Sequence, residues 1–140
     1  MTGVVRAEVT AEVLDLAEHE RLVASPRSGA VVSFAGVVRD HDHGREVGSL
    51  DYEAHPGAAD VLREVAEEIA KHPAVNAVAV SHRIGPLQVG DVALAAAVAC
   101  AHRGEAFDAC RRLVDEAKAR LPIWKHQQFA DGTDEWVNCP

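Results

Sequence analysis

The sequence predicts a single α+β domain spanning residues 1–140, and three features carry the prediction. Apolar, β-branched runs of strand length recur along the chain. Two segments between them place apolar residues at helical spacing, and Pro, Gly or a polar cluster marks nearly every junction. A chain of 140 residues can bury a core without disulfide or metal support. Aromatic residues make up only 4% against 48% hydrophobic residues, so the expected core is aliphatic.

The opening VVRAEV (residues 4–9) reads as a strand, with Thr10 as N-cap of a short helix through Leu14, Leu16 and Ala17. SPRSG (25–29) breaks that helix. GAVVSFAGVV (29–38) reads as a buried strand in which Gly36 permits a bulge or a close backbone approach, and it ends at Arg39. DHDHGRE (40–46) is expected to be a polar loop, and VGSLDYEA (47–54) a second strand. Pro56 suits the first turn of a helix whose buried face is Ala59, Leu62, Val65, Ala66, Ile69 and Ala70, with His72-Pro73 as its end.

VNAVAVSHRI (75–84) and VALAAAVACA (92–101) are two further strands, joined by the turn-rich GPLQVGD (85–91). A second amphipathic helix follows. Its stripe is Ala106, Cys110, Leu113, Val114, Ala117 and Leu121, and Pro122 closes it. In IWKHQQFADGTDEWV (123–137) two short apolar-aromatic runs flank Asp131-Gly132, the pattern of a hairpin. Sheet edges remain that a partner or a second copy can cover.

Charge narrows the function. The net charge is −8, with 14 Lys and Arg against 22 Asp and Glu, which argues against a nucleic-acid binder because counterion release needs a cationic face. An anion site must therefore be local. The N-terminus lacks a signal-peptide pattern, and no apolar stretch approaches the roughly 20 residues needed to span a bilayer, so a cytoplasmic protein with no membrane association is expected. Cys100, Cys110 and Cys139 form no CxxC pair; the first two read as small core residues and Cys139 as a tail thiol.

Several constellations bear on chemistry. Asp40-His41-Asp42-His43 carries ligand-type side chains, yet it sits in a glycine-containing loop without a third partner at telling spacing, and no metal site is expected. GPLQVGD lacks the glycine spacing of a phosphate loop, and no serine stands in a Gly-x-Ser-x-Gly elbow. The basic set says more: Arg39 at a strand end, His102-Arg103 where a strand passes into a helix, Lys118 near that helix's end, and Lys125 beyond Pro122. A helix N-terminus with His102-Arg103 can hold a phosphate. Lys125, flanked by Ile123 and Trp124 with Phe129 nearby, could lose hydration and react as a neutral amine, and it fits equally a lysine snorkelling off an edge strand.

GAVVSFAGVVRDH (29–41), LDYEAHPGAA (50–59), HRIGPLQVGD (82–91), AHRGEAF (101–107) and the run from Lys118 through PIWK to the DG and WV near the C-terminus together resemble the molybdopterin synthase large, catalytic subunit family over nearly the whole chain. The resemblance implies an α/β-hammerhead-like fold. It implies a sulfurtransferase of molybdenum cofactor biosynthesis that turns cyclic pyranopterin monophosphate into molybdopterin. The two sulfurs come from the C-terminal thiocarboxylate of a small ubiquitin-like carrier subunit, and no metal or organic cofactor takes part. By the same resemblance Lys118 and Lys125 carry the reaction, while Phe34, Val37, Val38, Arg39, His102, Arg103, His126 and Gln127 join them in binding substrate. Val37 stands where some relatives have lysine, and Gln127 where an acidic residue often occurs.

A straight helix from Arg103 to Lys118 would hold the two roughly 22 Å apart at 1.5 Å per residue, more than a pterin spans. The site is therefore expected to be shared across a homodimer, which with two carriers makes a heterotetramer. A non-catalytic, anion-binding module of the same fold is the main rival, and a histidine-based metallohydrolase a third reading.

Overall fold

The computed structural model describes residues 3–138. Its elements are β1 (Gly3–Thr10), α1 (Leu16–Val23), β2 (Ala30–Val37), β3 (His41–Asp42), β4 (Arg45–Ala54), α2 (Ala58–Ala70), β5 (Val75–Arg83), β6 (Gly85–Leu87), β7 (Val92–Cys100), α3 (Arg103–Arg120), β8 (Ile123–Phe129) and β9 (Asp134–Val137). They form two sheets. The first has the order β1-β5-β7-β2, with β1 parallel to β5 and the other pairs antiparallel. The second runs β3-β4-β8-β9, all antiparallel, with β6 also paired to β4.

Both faces of the first sheet are covered, which is why β7 reads as a continuous apolar run. On one face Val78, Val80, Ala96 and Val98 pack with Leu62, Val65 and Ile69 of α2 and Leu113 and Ala117 of α3 in the main core. On the other, Ala77, Ala79, Ala97 and Ala99 meet Val23 of α1. Methyl-sized side chains there let a short helix approach closely. Cys100 and Cys110 are buried in the main core, as expected of small apolar residues; Cys139 lies outside the described residues.

Several local expectations need correction. Thr10 does not cap α1: it ends β1, and its hydroxyl accepts from the Glu12 amide at 3.1 Å. Asp15 caps instead, accepting from the Glu18 N–H at 3.3 Å. α2 starts at Ala58 with Gly57 as N-cap, so Ala58 rather than Ala59 is buried. β2 is an edge strand and only partly buried, with Val31 41% and Val37 52% exposed. Its register does shift at Gly36, where a Cβ would lie 3.3 Å from the Phe34 ring.

The predicted polar loop at 40–46 is a tight hairpin. β3 and β4 are joined by His43 (φ 51°) and Gly44 (φ 76°), both left-handed, the conformation of a two-residue turn that matches strand twist. The first residues of GPLQVGD form β6, with the turn confined to the remainder.

Candidate active site

A cavity of about 340 Å³ opens where the two sheets and the end of α3 meet. The first sheet supplies one wall: the shifted register at Gly36 swings Val37, Val38 and Arg39 to the rim, and Ala93 and Leu94 of β7 line the inside. Val38 is pinned by its N–H to the Asp91 carbonyl (2.9 Å) and by its carbonyl to the Gly90 N–H (2.7 Å). The second sheet supplies the opposite wall through alternate residues of neighbouring strands. Leu50 and Tyr52 of β4 stand across from Gln127 and Lys125 of β8. Lys118 enters from the last turn of α3, where a cation complements the helix's partial negative charge.

Beside this cavity lies a buried polar knot. Asp42, 7% exposed at the end of β3, accepts from Gln127 Nε2 at 2.6 Å and from Arg39 Nη2 at 3.1 Å. The Gln127 hydrogen bond, helped by the positive charges of His43 and Lys125 and the Arg39 bond, holds its carboxyl below the usual range against the opposing effect of burial. Beneath the floor lies His82, fully buried, opposite Leu94 in the β5–β7 ladder and edge-on to Tyr52 with ring centroids 4.9 Å apart. Its Nδ1 is 2.7 Å from the Arg83 carbonyl and so carries the proton, while Nε2 is buried without a hydrogen-bond partner. Burial, and to a lesser degree the Lys118 charge, push this imidazole down to about 4.

Of the residues singled out from the sequence, Val37, Val38, Arg39, Lys118, Lys125 and Gln127 converge on the cavity. Phe34 sits beside it, its ring over Gly36 and against the main core. His126 does not converge. Strand alternation turns it to the other face of β8, where it bonds Asp134 (2.7 Å), stacks on Trp136 (4.2 Å between centroids) and lines a separate hollow with Arg83 and Asp91. Trp124 is on that outer face too, 45% exposed, so the apolar flank of Lys125 within β8 comes from Ile123 and Phe129.

His102 and Arg103 are exposed at the start of α3, which runs unbroken to Arg120, and so stand a helix length from Lys118. The Asp40–His43 residues divide: Asp40 and His41 pair with each other at 2.8 Å in solvent, while Asp42 turns inward. No three metal-ligating side chains cluster among the described residues. Among them also, no helix is long and apolar enough to cross a membrane.

Sequence reasoning missed Asp42, Tyr52 and His82. Tyr52 had a usable signal, because it alternates with Leu50 in a strand and is the chain's only tyrosine. Asp42 and His82 had none, since their burial depends on pairings distant in sequence.

The family model described as MoaE protein matches residues 9–120. The chain belongs to this family. A relative from a Nostoc species, named molybdopterin synthase catalytic subunit, is 42% identical over 132 residues, covering 93% of this chain and 80% of its own length. The crystal structure of molybdopterin synthase from Staphylococcus aureus superposes with a TM-score of 0.84 at 33% identity, over 92% of this chain and 94% of that one. A chain from a Helicobacter pylori complex of subunits 1 and 2 of molybdopterin-converting factor has the same fold. Its TM-score is 0.69 at 17% identity, over 97% of this chain and 88% of that one. The chain is accordingly an enzyme of molybdenum cofactor biosynthesis, with the mixed α+β architecture of that family.

Proposed function

We propose that this MoaE chain is the sulfur-transferring subunit that converts cyclic pyranopterin monophosphate to molybdopterin in the cytoplasm, with Lys118 and Lys125 as its reacting groups. The supporting observation is convergence: two lysines from separate elements, α3 and β8, reach one cavity whose rim carries Arg39. The reactants are anionic. A cyclic phosphate, a thiocarboxylate and the oxyanion that forms when the thiocarboxylate carbonyl is attacked all gain from preorganised cations in a cavity with an apolar floor. Leu50, Leu94 and Tyr52 supply that floor.

The sulfur donor is the thiocarboxylated C-terminus of a small ubiquitin-like carrier, used twice per product. Lys118 serves either as acid and base or as a transient acyl acceptor for the carrier's terminal carbonyl. No cofactor is assigned to the step. Arg39 and Gln127 bind substrate at the rim with Val37 and Val38, and Phe34 shapes the wall. His102 and Arg103, too far along α3 to serve the same cavity, complete the cavity of a twofold-related copy, making a homodimer within a heterotetramer. His126 contributes from outside, through the strand that holds Lys125.

The test is reconstitution. Purified chain, thiocarboxylated carrier and cyclic pyranopterin monophosphate are expected to yield molybdopterin, and Lys118→Ala or Lys125→Ala to suppress it. Undiminished product from either variant would overturn the assignment. Mixed dimers of Lys118→Ala with Arg103→Ala should recover part of the activity; none recovered would count against a shared site.

A further inference from the structure

Asp42 is the one buried carboxylate among the described residues, and nothing in the proposed reaction uses it directly. Both of its oxygens are engaged, one by Gln127 and one by Arg39, and His43 Nε2 stands 3.7 Å from it. Gln127 is itself only 3% exposed, so its amide depends on this carboxylate for a partner. Arg39, with a side chain 67% exposed, would otherwise sweep the rim freely; the bond to Asp42 selects one of its rotamers. A buried carboxylate costs stability unless donors compensate it, and here both donors are residues of the cavity lining.

We propose that Asp42 is a positioning residue of the sulfur-transfer site: held by the β3–β4 hairpin, its carboxylate fixes Arg39 at the rim and Gln127 beside Lys125 without touching substrate. The inference rests on the function proposed above. It assigns a purpose to the hairpin, which carries the acid to a partner 85 residues away in sequence.

The bond between Asp42 and Gln127 joins a carboxylate to a carboxamide, so it can be transposed. Asp42→Asn leaves two amides facing each other, and Gln127→Glu alone sets two carboxylates together. The double variant Asp42→Asn with Gln127→Glu restores one of each, with the charge on β8. In single-turnover assays with thiocarboxylated carrier, Asp42→Asn should lower the rate at saturating substrate by about tenfold, the scale of one charge-assisted hydrogen bond. Gln127→Glu should be at least as impaired; the double variant should regain most of the rate at saturating substrate, and the substrate contact altered at Gln127 should show as a raised KM. A merely structural role would move the melting temperature, and its rescue by transposition, and leave the rate per folded molecule unchanged.

A second readout needs no activity. NMR relaxation of the Arg39 guanidinium nitrogens, compared with exposed Arg27 in the same molecule, reads how firmly the side chain is held. Asp42→Asn should bring the order of Arg39 down to that of Arg27, and the double variant should return it. An unchanged order, or an Asp42→Asn rate within twofold of wild type, overturns the inference. If the wild-type chain makes no molybdopterin, the proposed function fails, and the order of Arg39 alone decides whether Asp42 holds it.

Discussion

The β5–β7 pair and the β4–β8 pair are both central antiparallel ladders, and they do opposite work. In β5 and β7 nearly every residue is buried, because α2 and α3 cover one face and α1 the other. In β4 and β8 burial alternates: Leu50, Tyr52 and Gln127 turn inward while Ser49, Trp124 and Gln128 face out. The inner face of the second ladder mixes aliphatic side chains, Val47, Leu50 and Ile123, with polar ones. It surrounds a cavity edged by Lys125 and Gln127, so the first ladder supplies packing and the second supplies polar groups held in fixed directions. The site lies at the seam, where Leu94 of one sheet meets Tyr52 of the other.

The largest expected effect tests that division from the chemical side. Lys118→Ala and Lys125→Ala should each reduce the turnover rate by about 10²–10⁴-fold, the range for removing a group that transfers a proton. Neither change removes core packing, so the denaturation midpoint should move little. The converse substitution is Leu113→Ala, at a fully buried contact between α3 and the first sheet. It should cost about 2–5 kcal/mol of stability in urea titrations. Activity per folded molecule should stay near wild type, and a large loss there would show that the two ladders are not separable.

His82 belongs to the packing ladder yet touches the chemical one through Tyr52, so its titration tests the seam. Its imidazole is held at about 4, against an ordinary value of 6.5. Between those pH values the unfolded chain takes up a proton that the native fold refuses, so stability falls as pH falls. The loss across that window is about 3 kcal/mol, at 1.36 kcal/mol per unit. Asp42, also held low, loses its stabilising contribution in the same direction but below the usual carboxylate range. Denaturant titrations from pH 7 to 4 should therefore show a shallower slope for His82→Gln than for wild type; equal slopes would place the imidazole in contact with solvent.

The two ladders also differ in how far the sequence disclosed them. Val92–Ala101 was legible because two-sided burial requires an unbroken apolar run, and Val75–Ile84 because its residues alternate as a strand's do. Lys118, Lys125 and Arg39 were legible through ordered motifs, since a fold that repeats those motifs repeats their placement. His126 entered with them as a neighbour of Lys125, although a period of two in β8 already sets it on the opposite face. Asp42 stayed hidden for a physical reason. In a run of alternating Asp and His, only the hairpin's turn and its pairing with β8 decide which carboxylate is dry, and that pairing is far away in sequence. Thr10 and Asp15 illustrate the same limit on a smaller scale: either side chain can cap a helix, and the length of β1, set by pairing to β5, decides between them.

The smallest predicted effect lies at the turn that makes Asp42 possible. Gly44 has φ 76° with open space where a Cβ would stand, so Gly44→Ala meets no clash and only the backbone penalty of a left-handed residue. The cost should be about 1 kcal/mol, read as a modest shift in the denaturation midpoint. In the packing ladder a change of that size would leave activity untouched. Here the hairpin must hold Asp42 against Gln127 across two strands, so a small loss of turn stability frees Arg39 and Gln127 together. Gly44→Ala should therefore slow turnover severalfold in addition to that shift, whereas Asp15→Ala, a cap loss of similar size on α1, should shift melting alone. Equal activity in the two variants would mean that the hairpin only closes the sheet.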